Sequence, residues 1–155
     1  VVQNAESNMN NGVGYFDSAG LDRIMFGTDG MHSDMLRSAK ASFFLAQSEG
    51  TPYGLDDAYI RFRNPHRYFT ETGFTGDLSS DLVVLNYDEP TPMTDENLPG
   101  HFIFGFESRH VEAVISKGRL VVKDGKVLTL DEEDVLDFAR EQAKALWSRM
   151  QKITD

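Results

Sequence analysis

Gly27-Thr28-Asp29-Gly30 directly follows the fully apolar triplet Ile24-Met25-Phe26. A short apolar run stopped by glycine reads as a buried strand. In parallel α/β folds the C-terminal ends of the strands carry the active site. A carboxylate at such a tip is held rigidly enough to bind a metal or to take a proton from a reacting water. Thr28 offers a hydroxyl that can hold the carboxylate in place. The competing reading is a turn acid that caps the next helix, and spacing alone weighs the two about equally.

Glu6-Ser7-Asn8-Met9-Asn10-Asn11 is the second candidate. Its amides and hydroxyl follow a strand end and suit the orientation of a polar ligand. The blander reading is a loop whose asparagines satisfy their own backbone. The two segments together say more than either alone, because adjacent strands of a parallel barrel present adjacent loops on one face.

The elements that would position these residues follow from pattern. Val1 and Val2 make a short β-like start, and the chain begins inside a strand with neither Met nor a signal peptide, which implies missing upstream sequence. Residues 4–14 read as irregular loop, 15–23 as a short helix, and 24–26 as a buried strand. A helix capped by Ser33 or Asp34 runs to about Gln47, with Leu36, Ala39, Phe43 and Ala46 on one face. Residues 55–73 hold one or two short helices broken near Asn64-Pro65, and 82–85 a second buried strand. Residues 88–99 form a long loop. Strands at 102–106, 111–116, 119–123 and 127–130 follow, with tight turns at Lys117-Gly118 and Asp124-Gly125.

The last helix spans about 132–152. Asp131 is its N-cap and Val135, Ala139, Ala143, Leu146 and Met150 form its apolar stripe. The acids at 131–134 suit a helix N-terminus better than a metal, and Trp147 reads as a packing anchor. Phe102, Phe104 and Phe106 alternate, which gives their strand one apolar face. The Arg and aromatic residues of 59–68 read as a solvated helix surface.

Strand–helix alternation implies a parallel sheet in the first part, and the run of hairpins implies an antiparallel sheet in the second. Two domains are therefore expected, 1–75 and 76–155, with the seam near 73–81. The formal net charge of −10 repels phosphate backbones and anionic membranes, so neither nucleic acid nor a membrane is an expected partner. No apolar run is long enough to span a bilayer. Cysteine is absent, which excludes disulfides and thiolate metal sites and fits a cytoplasmic protein.

Ser7-Asn8 after a strand, then Gly27-Thr28-Asp29-Gly30, resembles the seventh and eighth strand ends of the cytosine deaminase and chlorohydrolase branch of metal-dependent amidohydrolases. The longer strings, with Ser33-Asp34-Met35, resemble the SsnA-like aminohydrolases within it. Asp81-Leu82-Val83-Val84-Leu85 resembles the family's return into its small β domain. Tyr87, Pro90-Thr91-Pro92, Asn97 and His101-Phe102-Ile103-Phe104-Gly105 resemble the same subgroup.

The resemblance implies an α/β fold: the last two strand–helix units of a TIM-like (β/α)8 barrel, a small antiparallel β domain and a C-terminal helix. It implies that Asp29 is both a ligand of a catalytic divalent metal, zinc first, and the acceptor of a proton from the water that the metal activates. Ser7 and Asn8 would shape the substrate pocket or brace the strand end. The family's His-x-His pair and its other histidine ligands have no counterpart here. His32, His66, His101 and His110 form no such pair, His32 reads as surface at a helix start, and one carboxylate does not make a metal site.

The expected function is hydrolysis of a carbon–nitrogen bond in a small molecule, a deamination of a heterocycle, by a longer parent. This piece alone is expected to be inactive, and its open strand edges call for the missing N-terminal chain or a second copy as cover. The alternative is a non-catalytic packing or oligomerisation module from a truncated gene product.

Overall fold

The computed structural model describes residues 1–76 and 79–154. Asp77 and Leu78, inside the expected seam, and Asp155, the end of the expected second domain, lie outside the described residues. The chain is α/β with a small antiparallel sheet and a C-terminal helix. It forms two compact units that interleave along the sequence, Val1–Leu78 with Asn86–His110, and Ser79–Leu85 with Val111–Asp155.

In the first unit, β1 (Val2–Gln3) pairs in parallel with β2 (Met25–Phe26), with Val2 opposite Met25 and Gln3 opposite Phe26. Side chains alternate across a strand. Gln3 and Phe26 therefore share the buried face, against α2 (Met35–Ser48) and α3 (Leu55–Glu71). Ser42 Oγ on α2 and Arg61 Nη1 on α3 both donate to Gln3 Oε1, each at 3.1 Å. Phe26, Ala39, Phe43, Ala46, Tyr53, Ala58, Phe102 and Ile103 make the core, and the alanines let the helices approach closely. The α2 face expected from spacing is the one that packs, with Leu36 at its margin. Asp34 caps α2 by accepting from the Arg37 amide at 3.0 Å.

Several expectations are corrected here. Residues 5–10 are helical rather than loop: α1 (Ala5–Asn10) buries Ala5 and Ser7, and that burial overrides the weak helix propensity of asparagine. Residues 15–23 form no helix, because the Asp17 carboxylate accepts from the Ala19 amide at 2.9 Å and holds a turn. The chain runs through Asn64-Pro65 as one continuous α3, since Asn64 is buried and anchors it there. Residues 102–106 are not a strand. Pro99 starts a helical turn, α4 (Leu98–Gly100), which widens into a π-helical turn over His101–Gly105 closed by the Phe106 amide on His101 O at 2.8 Å. Phe102 is consequently buried in the core while Phe104 is 59% exposed.

In the second unit, β3 (Leu82–Leu85), β4 (Val111–Ser116), β5 (Arg119–Lys123) and β6 (Lys126–Val127) form an antiparallel sheet in chain order. Lys117-Gly118 and Asp124-Gly125 turn the hairpins, with φ of 50° and 71° and of 51° and 72°. Positive φ at both central residues is the turn that matches strand twist. Leu82, Val83 and Val84 are exposed rather than buried, and β6 is shorter than the expected 127–130. Asp131 Oδ1 accepts from the Glu133 and Asp134 amides and so starts α5 (Glu132–Thr154). Trp147 is 61% exposed rather than buried as an anchor. No helix among the described residues is long and apolar enough to cross a membrane.

The buried Asn64 side chain donates to Ile24 O at 2.7 Å and ties α3 to the entry of β2. Asn64→Ala strands that carbonyl, so a loss of about 1–3 kcal/mol is expected. Urea denaturation measures it, and an unchanged midpoint would show that the bond contributes nothing.

Candidate active site

The parallel pairing sets the ends of β1 and β2 side by side. The chain leaves β1 through Asn4 into α1, and leaves β2 through Gly27 and Thr28 to Asp29. Gly27 has a specific reason to lack a side chain: a Cβ there would lie 2.2 Å from Asn4 Oδ1 and 2.7 Å from Val2 Cγ1. Asp29 has φ of 53°, a left-handed conformation that aspartate tolerates better than most residues.

The Asp29 carboxylate is held at both oxygens. Ser7 Oγ donates to Oδ2 at 2.7 Å and the Gly30 amide donates to Oδ1 at 2.8 Å. Asn11 Nδ2 in turn donates to Ser7 Oγ at 3.3 Å. Thr28 does not hold the carboxylate, since its hydroxyl donates to the Asp29 main-chain oxygen at 3.1 Å. Ser7 and Asp29 are thus brought together across 22 residues of sequence. Asn8 lines a separate groove with Met9, Tyr15, Leu45 and Glu49.

Beside this pair lies a cluster that sequence reasoning missed. Glu6 Oε2 is 2.6 Å from His32 Nε2, and Arg37 Nε donates to Glu6 Oε1 at 2.8 Å. His32 is therefore not a surface residue; its side chain is only 19% exposed. One signal was available. Glu6 precedes Ser7 and His32 follows Asp29 by three, so loops that bring Ser7 to Asp29 also bring their flanking charges together.

No protein-family model matches the chain. The 5'-deoxyadenosine deaminase of Methanocaldococcus jannaschii is 38% identical over 69 residues, 44% of this chain and 16% of that protein. The same-named enzyme of Methanococcus maripaludis strain C7 is 36% identical over 62 residues, 40% of this chain and 14% of that protein. The 5-methylthioadenosine/S-adenosylhomocysteine deaminase of Pelotomaculum thermopropionicum is 29% identical over 72 residues, 46% of this chain and 17% of that protein. Over these stretches the chain is similar to deaminases of adenosine derivatives. The match spans less than a fifth of the length of each of these deaminases.

Among the described residues, no group of three or more His, Asp or Glu side chains could hold a metal ion. Asp29 offers one carboxylate. Both His32 nitrogens are engaged, Nε2 with Glu6 and Nδ1 as acceptor of the Asp34 amide at 3.0 Å. These residues fit a divalent metal only as a single ligand, short of the three or four that a protein site uses.

The two carboxylates are both kept ionised, by different means. The Ser7 hydroxyl, then the Gly30 amide, hold Asp29 below its ordinary value. Burial pushes Glu6 up, but His32 and Arg37 together outweigh it and Glu6 ends below its ordinary 4.5. A carboxylate depressed by folding stabilises the fold above its unfolded pKa, and that stability is lost as pH falls through the lower folded value. Native stability should therefore fall more steeply below about pH 4.5 than that of Glu6→Gln, and the gap between the two should narrow in acid. Acid titrations followed by circular dichroism test this; a gap that is constant from pH 6 to about pH 3 would mean that Glu6 is not preferentially ionised in the fold.

Proposed function

We propose that residues 1–155 are the C-terminal part of a metal-dependent amidohydrolase that hydrolyses a carbon–nitrogen bond. In this reading β1 and β2 are the last two strands of a (β/α)8 barrel, α2 and α3 belong to its outer helices, and the β3–β6 sheet with α5 is the small β domain. The observation that carries the reading is the Ser7–Asp29 hydrogen bond, which joins the C-terminal ends of two neighbouring parallel strands. That is where parallel α/β enzymes assemble their chemistry.

The substrate is a small heterocycle bearing an amine. Support comes from the names of the relatives described above, deaminases of adenosine derivatives. Asp29, ionised and oriented by Ser7 and Gly30, is the group that takes a proton from the attacking water and delivers it to the departing nitrogen. A divalent metal, zinc by family resemblance, supplies Lewis acidity and activates water when bound. Asp29 is one of its ligands and the remaining ligands come from other parts of the protein. Ser7 braces the carboxylate; Asn8 lines the separate groove beside Met9 and Tyr15. The chain alone is inactive, and the enzyme works in the cytoplasm on a small molecule.

The second reading, a packing or oligomerisation module, draws on the exposed apolar residues of α5, among them Phe138, Trp147 and Ile153. One experiment separates the two. In the full-length protein, Asp29→Asn should lower turnover of adenosine derivatives, 5'-deoxyadenosine first, by about 10²–10⁴-fold with the circular dichroism spectrum unchanged. Native turnover would remove Asp29 from the mechanism. The isolated 155-residue chain, dialysed against zinc, should retain no stoichiometric ion, and tight binding of one zinc per chain would contradict the single-ligand assignment.

A further inference from the structure

The Glu6 cluster has no role in the chemistry proposed above, yet it is built with care for geometry. Glu6 is only 14% exposed in its side chain. Its carboxylate receives Arg37 Nε at 2.8 Å on one oxygen, and His32 Nε2 at 2.6 Å and Ser38 Oγ at 3.4 Å on the other. Because His32 Nδ1 accepts the Asp34 amide, the ring carries its proton on Nε2 and donates it to Glu6. One carboxylate thereby ties together α1, the loop from β2 to α2, and the first turn of α2.

Those are the segments that need tying. α1 has six residues and no side-chain cap, too short to hold its own place. The loop carries two non-glycine residues with positive φ, Asp29 at 53° and Ser33 at 58°, on either side of His32. Such conformations persist where the surroundings over-determine them. Glu6 is adjacent in sequence to Ser7, and His32 is three residues past Asp29, so the clamp spans the same gap that the Ser7–Asp29 bond crosses.

We propose that Glu6 is a positioning residue for Asp29: its bonds to His32 and Arg37 hold α1 against the β2–α2 loop and so keep Ser7 aimed at the Asp29 carboxylate. The inference rests on the reading of Asp29 as the acting carboxylate. Glu6→Gln preserves size but presents an amide N–H to His32 or Arg37, both donors, and breaks one side of the clamp.

In the full-length protein, Glu6→Gln should lower kcat on 5'-deoxyadenosine about tenfold and change KM less than about twofold. In a Ser7→Ala background the same substitution should cost less than about twofold further, because its effect runs through Ser7. Hydrogen exchange of the Gly30 amide, which donates to Asp29 Oδ1, gives a readout independent of turnover; it should speed up about tenfold in Glu6→Gln. His32→Leu, which removes the donor to Glu6 together with the acceptor of the Asp34 amide, should give the same pattern if Glu6→Gln does not fold.

Where Asp29→Asn abolishes turnover, a native kcat with a lowered melting temperature, or full additivity with Ser7→Ala, would overturn the proposal. If Glu6→Gln accelerates Gly30 exchange while Asp29→Asn keeps native turnover, the clamp stands and the enzymatic reading falls. If Asp29→Asn abolishes turnover while Glu6→Gln leaves both turnover and Gly30 exchange native, the clamp falls and the enzymatic reading stands.

Discussion

Everything in the first unit depends on the parallel pairing of two very short strands. Backbone hydrogen bonds from Met25 N to Val1 O and from Gly27 N to Gln3 O, each 2.9 Å, flank it on either side. The period of two then assigns every side chain to a face. Gln3 and Phe26 go to the helices and the core. Asn4 takes the space that a side chain on Gly27 would need. A one-residue slip of β1 against β2 would bury Val2 in place of Gln3 beside Phe26, and would part Ser7 from Asp29.

Gln3 shows how such short strands are held. A two-residue strand cannot be stable by its ladder alone. A buried glutamine that accepts from one side chain on each flanking helix fixes β1 to both, and Asn64 does the same for the start of β2 through Ile24 O. Buried polar groups of this kind are tolerated because they are paired, and they specify position in a way that apolar contacts do not.

Two carboxylates, Glu6 and Asp29, illustrate the division of labour near the strand ends. Asp29 lies exposed, with hydrogen bonds that favour its charge and leave it open to solvent. Glu6 lies mostly buried, with its charge spent on a histidine and an arginine. Environment, more than residue type, separates a group available for chemistry from one that holds structure.

The elements legible in sequence were those whose cause is local. The hairpins β4–β5 and β5–β6 follow from Lys117-Gly118 and Asp124-Gly125, because only certain residues adopt positive φ in sequence. α2 and α5 follow from their caps and their 3.6-residue periodicity, and the strand at Met25–Phe26 from an apolar run stopped by Gly27. The pairing of Ser7 with Asp29 was legible only through the rule that parallel strands present neighbouring loops. What the tertiary structure decided was non-local: that an asparagine-rich segment coils into α1 because Ala5 and Ser7 are buried, that 101–105 turn helically to seat Phe102 and Ile103 between α2 and α3, and that Glu6 meets His32 and Arg37. Each of these is set by contacts between residues distant in sequence, which local propensity does not encode.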